Sequence, residues 1–214
     1  MDIPAFLKNS TQLIYFTLGW NVITAITGIS AGIYAGSMAL TAFGLVNVVV
    51  IAPAGMLLWR LRNAAGKREG KPEYSANERM ALFVAGIAFF LLSLYLLNES
   101  GTRLFYQWKP EVSVTGLVLA FLSVFNLPML SLMKFRAAKT PGSGPLRVDA
   151  KRTLLCGYLA LILLAGLGCN AWLGWWWADP AAVVLMVPFI AGMGWRVMEE
   201  SKESSGRGAE KQNF

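Results

Sequence analysis

The sequence predicts an all-α fold, a six-helix transmembrane bundle. The 214 residues are 56% hydrophobic and only 14% charged, whereas about a quarter of the residues in an ordinary soluble domain are charged. Six apolar runs each come close to the roughly 20 residues that an α-helix needs to cross the hydrocarbon core of a bilayer. They cover residues 13–35, 38–60, 80–98, 112–133, 152–173 and 180–198. We therefore expect most of this chain to lie in lipid.

These six runs define one transmembrane domain over residues 1–200. Residues 201–214 are rich in Ser, Gly, Lys and Glu. Because such a composition cannot bury enough apolar surface to fold by itself, we expect a disordered cytoplasmic tail there.

The basic residues are unevenly distributed between the two sides of the predicted bundle. All but two of the 19 Lys and Arg residues fall on the side that carries both termini, and the two exceptions are Arg103 and Lys109. Lys and Arg accumulate in cytoplasmic loops, so the sequence predicts a protein of the cell inner (plasma) membrane with both termini in the cytoplasm. The net charge of +7 then reflects topology, and no nucleic-acid partner is expected.

Two local patterns predict how the spans pack and begin. Gly28, Gly32 and Gly36 repeat every four residues in span one, which leaves a stripe without side chains where a second helix can approach closely. The partner of this stripe is either a helix of the same bundle or a second copy of the chain. The dipeptide Asp179-Pro180 predicts the start of span six, with Asp as its N-cap and Pro as its first helical residue.

The residue types that are missing restrict the chemistry. The chain has no histidine, which removes the commonest zinc ligand. Paired acids and a nucleophile with a neighbouring base are also missing from the sequence, so we do not expect an enzyme. A resident cofactor is not expected either.

The order of three segments resembles a known family. These segments are Gly36-Ser-Met-Ala-Leu-Thr-Ala-Phe-Gly-Leu45, Arg147-Val-Asp149-Ala150 and Gly174-Trp-Trp-Trp-Ala-Asp179-Pro180. Together they resemble the membrane domain of the cation diffusion facilitator (cation efflux) family, and in particular its short bacterial branch that lacks the C-terminal cytoplasmic domain. The resemblance implies a homodimer that exports a divalent metal ion such as zinc in exchange for protons.

The same resemblance implies four metal ligands, two at i and i+4 on span two and two at i and i+4 on span five. In this sequence those positions are occupied by Val46, Val50, Arg152 and Cys156. The branch carries acids at the first three positions and a cysteine at the last, so only Cys156 matches. Asp149, one turn before Arg152, is a substitute acid.

A shift of one residue in this placement would move the span-five pair to Thr153 and Gly157. Neither register restores a metal site, because valine and glycine side chains offer no ligand and arginine stays positively charged.

Three hypotheses about function follow. In the first, the chain is a cation transporter with a degenerate site, and Asp149 and Cys156 are the candidate metal ligands. The transport pathway would then contain Val46, Asn47, Val50, Asp149, Arg152 and Cys156. In the second, a non-transporting relative acts as a membrane partner or sensor. The third hypothesis, an intramembrane enzyme, lacks catalytic residues.

Overall fold

A computed structural model describes residues 3–64, 76–138 and 144–211. The described residues form six helices: α1 (Ile3–Ala35), α2 (Met38–Ala64), α3 (Ala76–Phe105), α4 (Val114–Ala137), α5 (Gly144–Leu173) and α6 (Ala178–Lys211). They contain no strand. Each helix is long and apolar enough to cross a membrane. The predicted fold class and the predicted six spans are therefore confirmed.

The helices extend beyond the apolar runs at the end of the bundle where α1 begins and α2 ends, which we call the basic end. α1 begins at Ile3, and α5 begins at Gly144, ahead of its apolar run. α6 continues to Lys211. The last three residues of the predicted tail lie outside the described part of the chain.

The helices pack mainly in three pairs, which are α1 with α2, α4 with α5 and α3 with α6. α2 also contacts α3, α5 and α6. In the most apolar part of α2, 56% of the residues are buried, against 33% in α1 and 44% in α5. α2 is therefore the most enclosed helix of the bundle, and most of its buried apolar side chains belong to the main hydrophobic cluster together with those of α3, α4, α5 and α6.

The glycine stripe of α1 packs against α2. A Cβ added at Gly28 would lie 3.1 Å from the Cα atom of Gly44, and one at Gly32 would lie 2.6 Å from the backbone nitrogen of Thr41. A side chain at Gly32 would therefore clash with α2, and one at Gly28 would require the neighbouring backbone to shift by a few tenths of an ångström. Of the two partners that the sequence allowed for this stripe, the structure shows the one within the bundle.

Asp179 corrects a prediction about the start of α6. Its carboxylate does not cap its own helix: one oxygen accepts hydrogen bonds from the backbone N–H groups of Met38 (2.7 Å) and Ala39 (3.3 Å), and the other accepts from the Ser37 hydroxyl at 2.5 Å. Those N–H groups open α2, where the positive end of the helix dipole favours a carboxylate. Asp179 therefore caps α2 and ties it to α6.

Candidate functional site

The two valines in the implied ligand positions lie in the apolar core. Val46 is 0% exposed and Val50 is 4% exposed. Both belong to the main hydrophobic cluster, together with Cys156 of α5 and neighbours such as Phe43 and Leu163. α2 and α5 contact each other, as the resemblance implies, but these side chains present carbon and one thiol to the space between the helices. Three of the predicted pathway residues thus lie together in the apolar core.

Asp149 lies toward the basic end and already has a cation beside it. The ammonium of Lys134 on α4 lies 2.6 Å from the Asp149 carboxylate and 2.9 Å from the hydroxyl oxygen of Thr153. The Lys134 side chain is 0% exposed and that of Asp149 is 3% exposed. The Thr153 hydroxyl donates to the backbone carbonyl of Asp149 at 2.9 Å, so its free lone pairs can face the ammonium. Buried charges of this kind persist only when they are paired.

Arg152 continues this network from α5 to α6. Its guanidinium lies 3.6 Å from the second oxygen of the Asp149 carboxylate and 3.1 Å from the carboxylate of Glu200. Asp149 and Arg152 pair at i and i+3 within one helix, a spacing that favours such pairs, whereas Lys134 and Glu200 come from other helices. The four side chains carry two positive and two negative charges. We call Lys134, Asp149, Arg152 and Glu200 the ion network.

A small cavity of about 10 Å³ lies beside the ion network, which is room for about one water molecule. Its lining includes Pro53, Arg60, Leu82, Asp149, Arg152 and Glu200. Cys156 does not line it. The cavity therefore reaches the acid of the predicted pathway but not the thiol.

Asn47 brings a polar amide into the same core. It is fully buried, and its side-chain nitrogen donates to the carbonyl of Phe43 at 2.7 Å. Its side-chain oxygen has no hydrogen-bond partner among the described protein residues. The same holds for the hydroxyl of Ser123 on α4. Asn47 therefore keeps one acceptor free inside the bundle.

Asp149 and Cys156 lie on one continuous helix, seven residues apart. With a rise of about 1.5 Å per residue their Cα atoms are separated by roughly 10 Å along the axis, while metal–ligand distances are only about 2.0–2.6 Å. One ion cannot contact both side chains while α5 stays helical. Among the described residues, no three His, Cys, Asp or Glu side chains come together in a possible metal site.

Sequence reasoning assigned Lys134 to the basic loops and so missed its place in the bundle. The buried residues of α4 include Leu127, Leu130, Ser131 and Lys134, a spacing of i, i+3, i+4 and i+7 that marks one face of a helix. This periodicity was the available signal. Lys134 continues the buried face that Leu127, Leu130 and Ser131 form, and this position places it inside the protein.

The opposite end of the bundle is held together by polar contacts of a different kind. Arg103 at the end of α3 donates to the carbonyl of Gly36 at 2.7 Å and pairs with Glu99 at 2.9 Å. The backbone N–H of Glu111 donates to the carbonyl of Ala35 at 2.8 Å. Together with the cap that Asp179 places on α2, these bonds connect the α1–α2 turn to α3, α6 and the segment before α4.

These features define a class of protein: a polytopic helical membrane protein with a buried ion network between its helices. Residues 14–204 match the family model described as the cation efflux transmembrane domain. The chain belongs to the cation efflux family, as the resemblance of its three segments predicted.

Two curated proteins are similar to part of the chain. Transmembrane protein 163 of Xenopus laevis is 24% identical over 159 residues, which are 74% of this chain and 55% of that protein. A cadmium, cobalt and zinc/H(+)-K(+) antiporter of Bacillus velezensis is 28% identical over 133 residues, which are 60% of this chain and 41% of that protein. The chain spans about half the length of the curated relatives it matches.

Proposed function

We propose that this protein exports a cation across the membrane without the usual four-ligand metal site of its family. The observation that carries the proposal is the environment of the four implied positions. Val46 and Val50 are buried among apolar side chains, Arg152 is occupied by two acids, and Cys156 alone matches a ligand. The family and the antiporter from Bacillus velezensis support a zinc-type divalent ion as the cargo.

The ion network supports transport over a purely structural role. Ionisable groups inside transmembrane helices are costly and are concentrated on ion pathways. Replacing a buried ion pair by apolar side chains is often neutral or stabilising, so a bundle without a transport function would gain little from Lys134 and Asp149. In this proposal Asp149 and Cys156 remain the residues that can bind a cation. A transported ion would contact them one after the other, because they lie seven residues apart on α5.

Ion uptake into vesicles tests the proposal. The purified protein would be reconstituted into vesicles that contain a fluorescent indicator for zinc. Zinc uptake by the parent would be compared with uptake by the Asp149→Asn variant and by vesicles without protein. Glu111→Gln, an exposed acid at the opposite end of the bundle, is the matched control. We expect uptake by the parent and by Glu111→Gln, and a loss of uptake in Asp149→Asn. Uptake by the parent no faster than in empty vesicles would refute transport of this ion.

The second candidate function is that of a non-transporting relative that acts as a membrane partner or sensor. The specific observation in its favour is the full pairing of Asp149 with Lys134 and Arg152, which leaves this acid no free charge to offer a cation. Failure of uptake for zinc, cadmium, cobalt and manganese alike would favour this second candidate.

The location and assembly belong to the same proposal. The distribution of basic residues supports an inner (plasma) membrane protein with both termini in the cytoplasm. A homodimer is supported by the resemblance to the family, and cross-linking in native membranes would test it.

A further inference from the structure

We propose that Asp149 and Thr153 form a cation site whose resident cation is the ammonium of Lys134, so that a transported cation must displace this side chain to bind. This inference rests on the proposed function. It names the residue that controls access to the pathway, and it follows from the geometry between α4 and α5.

The ammonium lies where a bound cation would lie. It contacts a carboxylate oxygen of Asp149 at 2.6 Å and the hydroxyl oxygen of Thr153 at 2.9 Å, and both partners come from the neighbouring helix. Thr153 is also the residue that the alternative register places in a ligand position of span five. Lys134 therefore occupies the ligands nearest to the implied site with a cation that belongs to the protein.

The charges of the network make binding of Lys134 and binding of a second cation mutually exclusive. With Lys134 in place, the Asp149 carboxylate already has two cations within 4 Å, Lys134 and Arg152, and Arg60 lines the cavity beside it. A further positive ion at Asp149 would leave uncompensated charge in a buried environment, which is strongly unfavourable. When Lys134 leaves, its charge leaves with it, and the incoming ion replaces it.

The Lys134 side chain also lies near the end of its helix. Lys134 lies in the last turn of α4, four residues before the cap at Ala138, and so close to the basic end of the bundle. A lysine side chain is a flexible chain of four carbons that can carry its ammonium to the surface while the chain stays in apolar surroundings.

The ligand atoms determine which cation the opened site would take. A carboxylate and a hydroxyl are oxygen ligands, which suit hard ions such as Mg²⁺ or Mn²⁺. The Cα atom of Cys156 lies roughly 10 Å along the helix from that of Asp149, so the thiol cannot bind an ion held by this carboxylate. Zinc also accepts carboxylate oxygen as a ligand, so the site suits the zinc-type cargo proposed above, and Mn²⁺ can serve as its spectroscopic probe.

Binding of Mn²⁺, measured by electron paramagnetic resonance in detergent, tests this inference. Lys134→Met removes the charge and keeps an unbranched side chain, whereas Lys134→Arg keeps the charge. Lys151→Met, which removes an exposed lysine of α5, is the matched control. We expect Lys134→Met to bind Mn²⁺ at least about tenfold more tightly than the parent, with Lys134→Arg and Lys151→Met close to the parent. The gain should disappear when Asp149→Asn is added.

Equal affinity of Lys134→Met and the parent would overturn the inference, and so would a gain that survives Asp149→Asn. The parent gives a second measurement that does not depend on the folding of a variant. Saturating Mn²⁺ should expose the Lys134 amine to an acylating reagent, detected by peptide mass spectrometry, and acylation that does not respond to Mn²⁺ contradicts displacement. These measurements report binding and not transport. Mn²⁺ could therefore displace Lys134 even if the parent showed no uptake into vesicles, so the cation site and the transport function can be refuted independently.

Discussion

The carboxylate of Asp179, in the first turn of α6, accepts a hydrogen bond of 2.7 Å from the backbone N–H of Met38, the first residue of α2. The Asp179 side chain is almost fully buried, and it also accepts a hydrogen bond from the Ser37 hydroxyl. One acid therefore satisfies donors at the start of a helix that is distant in sequence. This contact closes the end of the bundle opposite to the ion network.

Asp179→Asn should destabilise the protein. The substitution keeps the size of the side chain but replaces one acceptor oxygen by an amide that cannot accept a hydrogen bond, so a buried donor loses its partner at a cost of about 1–3 kcal/mol. For a chain of this length each kcal/mol corresponds to roughly 2–4 °C in Tm. Thermal unfolding in detergent measures the effect, with the exposed acid variant Glu111→Gln as control. Identical Tm values for the two variants would show that the cap contributes nothing.

Gly32→Ala should destabilise the packing of α1 on α2. A Cβ at Gly32 would lie 2.6 Å from the backbone nitrogen of Thr41, whereas a Cβ at Gly19 of the same helix has no atom within 4 Å. Overpacking of this kind costs about 1–3 kcal/mol, while alanine in an open helical position is favoured over glycine by up to about 1 kcal/mol. The yield and Tm of Gly32→Ala should fall, and those of Gly19→Ala should not. A Gly32→Ala variant as stable as Gly19→Ala would contradict the close approach.

The contrast between the helices and Asp179 shows what the sequence could predict. Each span is recognisable from about 20 neighbouring residues, because transfer into lipid depends on local hydrophobicity. The dipeptide Asp179-Pro180 correctly marks the start of a helix, but the partner of the carboxylate lies more than 140 positions earlier, at Ser37 and Met38. Local spacing contains no information about that neighbour, which is why the capped helix was predicted wrongly.

Lys134 illustrates the same limit at the candidate site. It follows the predicted fourth span directly, and its charge suggested a cytoplasmic loop. Its burial depends on Asp149, which lies 15 positions later in the sequence, on the next helix. The side chains of Val46 and Val50 were predicted to offer no ligand, and the structure places both in the apolar core. Residues whose environment is set by one helix could be predicted, and those paired across helices could not.

A reporter fused after Phe214 tests the predicted orientation. Among the 19 Lys and Arg residues, only Arg103 and Lys109 fall on the side away from the termini, so the rule for basic loops places both termini in the cytoplasm. A fluorescent protein fused there should be bright, and alkaline phosphatase fused there should be inactive. Activity of the phosphatase with a dark fluorescent fusion would reverse the topology.

Rebuilding the implied ligand positions tests whether they are what the chain has lost. Val46 and Val50 lie one helical turn apart on α2, and Arg152 and Cys156 lie one turn apart on α5, which contacts α2. Side chains at i and i+4 face the same way. Acids at the first three positions, with the thiol at the fourth, would therefore offer four ligands to one ion between the two helices.

The triple variant Val46→Asp, Val50→Glu, Arg152→Glu should bind zinc at least about tenfold more tightly than the parent, measured by calorimetric titration in detergent. Single variants should gain much less, because a lone carboxylate in a dry interior takes up a proton, and because an acid introduced while Arg152 is present would pair with the guanidinium. The effect should therefore exceed the sum of the single changes. The triple variant with Cys156→Ser is the matched control and should lose part of the gain. A parent that binds zinc as tightly as the triple variant would show that the ligands lie elsewhere in the protein, with Asp149 as the first residue to test.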